Sequence, residues 1–157
     1  MTMFYFRFIA LRFGWKNLYF CATLVSKPTK NGERKHGYKC FWQAVLEQNP
    51  DTMRTFFSDT AYINWHCSNE HFTVDEFIRA NCEYAGEWGG TIERIEQIGD
   101  LIITVVNAYP TNRETSFHVV SFISIKEDKI VSIDEYWGDD GAAPQWRLDK
   151  KIGTAIC

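Results

Sequence analysis

The sequence predicts an α+β fold in which three N-terminal helices close a curved antiparallel sheet. Three observations carry that expectation. Tyr38, Phe41, Trp42, Val45 and Leu46 recur at i, i+3, i+4, i+7 and i+8, one apolar stripe of a helix. Thr73-Val-Asp-Glu76 is a capping box that opens another helix. From about residue 91 the chain is nearly all alternating strand joined by short turns. Helices first and strands after segregate the helices to one face of the sheet.

In order, the first helix ends at Asn49-Pro50, and Asp51 is a candidate cap for a second, short helix carrying Met53, Phe56 and Phe57. Ala61 to Cys67 alternates and is rich in strand formers. The third helix carries Phe77, Ile78, Asn81 and Cys82, and Glu87-Trp-Gly-Gly90 then breaks the chain. Strands follow over 91–98, 101–109, 115–126 and 129–137. Their joints, Gly99-Asp100, Pro110 to Arg113 and Glu127-Asp128, are short enough for hairpins.

At 157 residues the chain fits one domain with a sizeable core. Its 16% aromatic content is high and suits a large concave core or an apolar pocket. A net charge of −3 argues against nucleic acid as the main partner. Charge is unevenly spread: residues 1–40 hold eight Lys and Arg against the single acid Glu33, and the remainder holds nine bases against nineteen acids. Residues 1–30 therefore read as an aromatic and basic extension outside the fold, with the domain at 31–157 and a linker over Lys27 to Gly37. The extension is too short in charge-free residues for a membrane span. As a signal peptide its apolar residues precede the charges, and as a transit peptide it is not serine-rich. No membrane partner is expected. Five cysteines without framework spacing suit reduced thiols in a cytoplasmic protein.

The last strand and its exit hold the most informative chemistry. Alternation from Ile130 to Trp137 turns Val131, Ile133, Glu135 and Trp137 one way, and Ile130, Ser132, Asp134 and Tyr136 the other. The first set is a core face with one carboxylate in it. Asp139-Asp140-Gly141 then leads to Pro144-Gln-Trp-Arg147, which suits a flap over a pocket mouth or a dimer edge.

This order, with Phe41-Trp-Gln-Ala-Val-Leu46, Ala61-Tyr-Ile-Asn-Trp-His66, Lys129 to Trp137 and the Asp-Asp-Gly-x-x-Pro-x-Trp-Arg tail, resembles the SnoaL-like branch of the nuclear transport factor 2-like (NTF2-like) superfamily. The resemblance covers about residues 33–150. It implies a cone-shaped fold with a deep pocket for a small-molecule ligand, and a homodimer across the outer sheet face. It also implies either cofactor-free isomerase, cyclase or dehydratase chemistry or binding alone. The isomerase mechanism needs a carboxylate base and, for the oxyanion, a tyrosine and a protonated aspartic acid. By matching position these fall near Trp65, Gln43 and Ser121, none of which keeps the required group. The same registration agrees with the alternation in placing Ile133, Glu135 and Trp137 on the pocket side.

Glu135 beside Trp137 and Ile133 is then the candidate acid or base, with a pKa raised by desolvation. His66 and His118 are further catalytic candidates, although alternation turns both away from the inner face unless a bulge reverses it. Gln43, Trp65, Phe77, Asn81, Tyr84, Ser121, Ile133 and Trp137 are the expected pocket lining, with Asn64, His71 and Trp88 nearby. His66-Cys-Ser-Asn-Glu-His71 contains ligand types at no recognised metal spacing, so no metal is expected. Without a glycine-rich phosphate loop, a Gly-x-Ser-x-Gly elbow or a thiol redox pair, no cofactor is expected either.

Overall fold

The computed structural model describes residues 31–156. The N-terminal extension lies outside them. Four helices and six strands follow in the order α1 (Asn31–Leu46), α2 (Pro50–Arg54), β1 (Phe57–Trp65), β2 (Glu70–Thr73), α3 (Val74–Cys82), β3 (Trp88–Ile98), β4 (Leu101–Pro110), β5 (Phe117–Lys126), β6 (Lys129–Asp139) and α4 (Gln145–Asp149). No helix of the described residues is long and apolar enough to cross a membrane.

The stripe on α1 does what its period implies: Tyr38, Phe41, Trp42 and Val45 are buried. The helix begins at Asn31, so its first turns replace part of the expected linker. Beyond α1, Gln48 takes a positive φ of 52°, and its amide donates to the carbonyls of Asn81 and Tyr84. That side chain ties the end of α1 to the end of α3. The cap of α2 is Asn49 rather than Asp51, because Pro50 occupies the first helical position and the Asn49 side chain accepts from Thr52 N at 3.0 Å. Thr73 and Glu76 form the expected capping box on α3.

The sheet runs β2-β1-β6-β5-β4-β3. Neighbours are antiparallel except β1 and β6, which pair in parallel. The long excursion through β2, α3 and the β3–β6 meander makes that possible, since a parallel pair needs a crossover rather than a hairpin. Strand β2 falls in what reads from sequence as a loop. The β5–β6 turn places Glu127 and Asp128 at φ of 51° and 60°, the twist that suits a two-residue hairpin. Bulges lie at Phe57/Tyr62, Ile92/Arg94 and Ser124/Ile125.

The last of these corrects the alternation on β6. Ser124 pairs with Ser132 but Ile125 pairs with Ile130, leaving Val131 as the extra residue. Ile130, expected on the outer face, is therefore only 1% exposed. Beyond the bulge the phase holds: Ile133 and Glu135 are buried, and Tyr136 is exposed.

Between helices and sheet, Phe41, Trp42, Phe57 and Phe77 meet edge to face. They pack onto Ile63, Ile102, Val106, Val119, Ile123 and Ile133. Trp42 Nε1 donates to Thr104 Oγ1 at 3.0 Å, satisfying two polar groups inside this core. Gly90 lets α1 approach β3 closely: a Cβ there would stand 2.7 Å from Leu46 Cδ1 and 2.9 Å from the Asn107 carbonyl oxygen. Residues 141–156 are exposed, α4 buries no side chain, and none of this tail lines the cavity described below. The exit is thus not a flap over the mouth. Cys67 and Cys82 are free, as expected of reduced thiols, whereas Cys40 is disulfide-bonded and departs from that expectation.

Candidate functional site

Strand register assembles the site around one carboxylate. Glu135 lies opposite Trp65 across the parallel β1–β6 ladder and opposite Ser121 across the β5–β6 ladder. Trp137 follows two residues on, on the same face. All three donate to it. Trp65 Nε1 and Trp137 Nε1 reach Oε2 at 2.7 and 3.0 Å, and Ser121 Oγ reaches Oε1 at 2.9 Å.

Glu135 is 1% exposed. Burial pushes its pKa above the usual carboxylate value, against the three donors, which favour the charged form. Indole N–H groups only donate, so Oε2 must remain an acceptor in either state. A proton on Glu135 therefore belongs on Oε1, where the Ser121 hydroxyl can turn from donor to acceptor.

In front of this group lies a cavity of about 490 Å³ between α1, α3 and the inner face of the sheet. Trp42, Trp65, Trp88, Trp137, Tyr84 and Phe117 supply its aromatic wall. Ala108, the only small inward residue among Ile102, Thr104, Val106 and Ala108 of β4, leaves room for it. Asn81 and Gln48 supply amides, and Glu70 and Asp139 supply carboxylates. Glu135 itself is behind the wall rather than in it, covered by the two indoles that it holds.

Of the residues expected to line the pocket, Trp65, Asn81, Tyr84 and Trp137 do so. Phe77 and Ile133 are buried in the core, and Ser121 lies with Glu135. Gln43 does not face the cavity. It is exposed, bonds Glu47 one helical turn on, and borders a separate depression with Lys39 and Gly89, while its neighbour Trp42 takes the inward position. Trp42, Ala108 and Phe117 were discoverable from phase: Trp42 is in the α1 stripe, and the other two continue the buried alternation of β4 and β5.

The two histidines are not brought to Glu135. His66 Nε2 lies 2.8 Å from Asp134 Oδ1, and its ring stacks on exposed Tyr136 at 4.6 Å. Burial acts to raise the Asp134 pKa, but bonds from Asn64 and His66 carry it below the usual value. His71 bonds Asn64, extending this outer-face network. His118 is held by Asp140 on Nδ1 and by Glu93 on Nε2, and the bond to Asp140 is the main reason its pKa is raised. No bulge interrupts β5 before Ser124, so the alternation that turns His118 away from Val119 and Ser121 stands. A catalytic role for either histidine with a ligand in the cavity lacks geometric support. Among the described residues no group of three or more His, Cys, Asp or Glu side chains gathers to hold a metal ion.

No family model matches the sequence, and no curated protein matches it. Solved structures do match in fold. An NTF-2 like protein of unknown function from Burkholderia xenovorans LB400 is 21% identical with a TM-score of 0.64, covering 79% of this chain and 95% of its own. A protein assigned as a ketosteroid isomerase from Kribbella flavida DSM 17836 is 14% identical with a TM-score of 0.66, covering 79% and 90%. A protein assigned as a SnoaL-like polyketide cyclase from Shewanella denitrificans OS-217 is 10% identical with a TM-score of 0.57, covering 67% and 90%. At these identities the likeness is one of architecture. The six-stranded curved sheet closed by helices gives this chain the NTF2-like fold, shared with ketosteroid isomerase-like and SnoaL-like proteins.

Proposed function

We propose that the chain binds a largely apolar small molecule in the aromatic cavity, and that Glu135 is a positioning residue which fixes the Trp65 and Trp137 indoles. The observation that carries this reading is the enclosure of Glu135: Oε2 accepts from both wall indoles, Oε1 accepts from the buried Ser121 hydroxyl, and the indoles stand between the carboxyl group and the cavity. The volume and apolar lining suit a small-molecule site. A second reading, cofactor-free isomerisation, cyclisation or dehydration with Glu135 as acid or base, is favoured by one feature, the raised pKa of that carboxyl group. It requires an indole to leave Glu135 before a proton can pass. A homodimer across the outer sheet face is part of the proposal. Tyr62, Phe122 and Tyr136 expose apolar rings there, at 42%, 37% and 45%.

Titration with the neutral dye Nile red tests the site. Dye fluorescence should rise on binding to the wild-type chain and fail to rise in Ala80→Trp and Ser68→Trp, which add bulk to two cavity-lining positions. Circular dichroism and thermal melting confirm that each variant is folded. No dye binding by the wild-type chain, or undiminished binding by folded filled variants, refutes the cavity as the site.

A further inference from the structure

We infer that the ligand carries a positive charge, as a quaternary or tertiary ammonium on an apolar body. This rests on the cavity being the binding site, and it comes from the chemistry the wall offers and the chemistry it has already spent. The ring faces are electron-rich: four tryptophans, a tyrosine and a phenylalanine surround the space, and indole is the best of the aromatic side chains at attracting a cation. Among the described residues that line the cavity, the charged ones are Glu70 and Asp139, with no Lys, Arg or His to receive an anion. Neither carboxylate is in an ion pair among the described residues.

The hydrogen-bond donors of the wall point away from a ligand. The Trp65 and Trp137 indoles donate to Glu135, and Trp42 donates to Thr104. Trp88 Nε1 donates to the Ala85 carbonyl at 3.3 Å. The Gln48 amide is committed to two carbonyls, one N–H of Asn81 goes to the Phe77 carbonyl, and the Ser68 hydroxyl is directed at the Trp65 carbonyl. An anionic head group, or a neutral one rich in acceptors, would have to displace these bonds. A quaternary ammonium asks for no such bond, since its diffuse charge is satisfied by ring faces and by carboxylates at the rim. The donors still available, the Tyr84 hydroxyl, the Cys67 thiol and the second Asn81 N–H, are too few to build an anion site.

Displacement of Nile red by an isosteric pair tests the charge. The cation 3-hydroxy-N,N,N-trimethylanilinium should displace the dye at a concentration about tenfold lower than neutral 3-tert-butylphenol, within the range of a desolvated cation–π site. The anion 3-hydroxybenzoate should not displace it over the same range. Equal or better displacement by 3-tert-butylphenol, while the dye still distinguishes wild type from the filled variants, overturns the charge and leaves the cavity reading intact. Failure of the dye to distinguish them overturns both. A second readout uses the full chain grown with 5-fluorotryptophan, whose ring faces are less electron-rich than those of tryptophan. It should lose affinity for the trimethylanilinium and keep it for the phenol; equal losses for the two would refute a role for ring electrons.

Discussion

Replacing Glu135 with glutamine and with leucine separates its charge from its acceptors. In Glu135→Gln the amide oxygen can accept from both indoles where Oε2 now stands, and the amide nitrogen can donate to Ser121, which turns to accept. The variant copies the protonated carboxyl group. In Glu135→Leu two indole N–H groups and a buried hydroxyl lose their partner. A stranded buried donor costs about 1–3 kcal/mol, so after allowing for relaxation of the half-buried indoles, Leu should be about 2–5 kcal/mol less stable than Gln.

The charge shows in the pH dependence. The folded pKa of Glu135 is raised above its ordinary 4.5, so its favourable contribution is complete below that pH and is lost as pH rises through the folded pKa. The stability of Glu135→Gln minus that of wild type should therefore grow with pH above 4.5, by up to about 1.4 kcal/mol per pH unit, and level off beyond the folded pKa. Asp134 and Asp140, held low by their partners, have the opposite dependence, but they are common to both proteins and cancel in the difference. Urea unfolding of the three proteins between about pH 4 and about pH 8 measures both effects, within the range where linear extrapolation applies. A difference that stays flat with pH, or a Leu variant as stable as the Gln variant, refutes the buried, triply bonded carboxyl group.

Two further outcomes follow from packing. Gly90→Ala should lower stability by about 1–3 kcal/mol in urea unfolding, because Leu46 can yield but the Asn107 carbonyl belongs to the adjacent strand; a neutral result would mean that α1 and β3 are less closely apposed. In analytical ultracentrifugation the wild-type chain should sediment as a dimer and Tyr136→Lys as an 18.3 kDa monomer, because the added charge meets its symmetry mate's apolar face; a monomeric wild type would refute the outer-face dimer.

Much of the architecture was legible because it rests on local pattern. The α1 stripe, the Thr73 capping box and the order of the four final strands depend on neighbours within a few residues. Alternation also turned His66 and His118 outward and Glu135 inward, and no bulge falls where it would reverse them. What was not legible is long-range. The bulge that turns Ile130 into the core is a property of the β5–β6 ladder, and the edge strand β2 forms only because β1 is there to pair with it. Likewise, alternation can say that Trp65 and Ser121 face inward, but only the register across two ladders makes both of them partners of one carboxylate.

That register bears directly on chemistry. The resemblance to isomerases places a carboxylate base near Trp65 and an oxyanion-holding acid near Ser121. In this chain both positions hold donors, and both donate to Glu135 on the strand between them. The carboxyl group of this chain stands on the middle strand, with a donor on the strand to either side. A base needs a free lone pair directed at the ligand, and a hydrogen-bond catalyst needs a free donor. Here the donors are spent on Glu135, while the indole rings that it holds line the cavity. Such an arrangement fixes ring orientation at the expense of proton transfer, which is why the role proposed for Glu135 is to position the indoles.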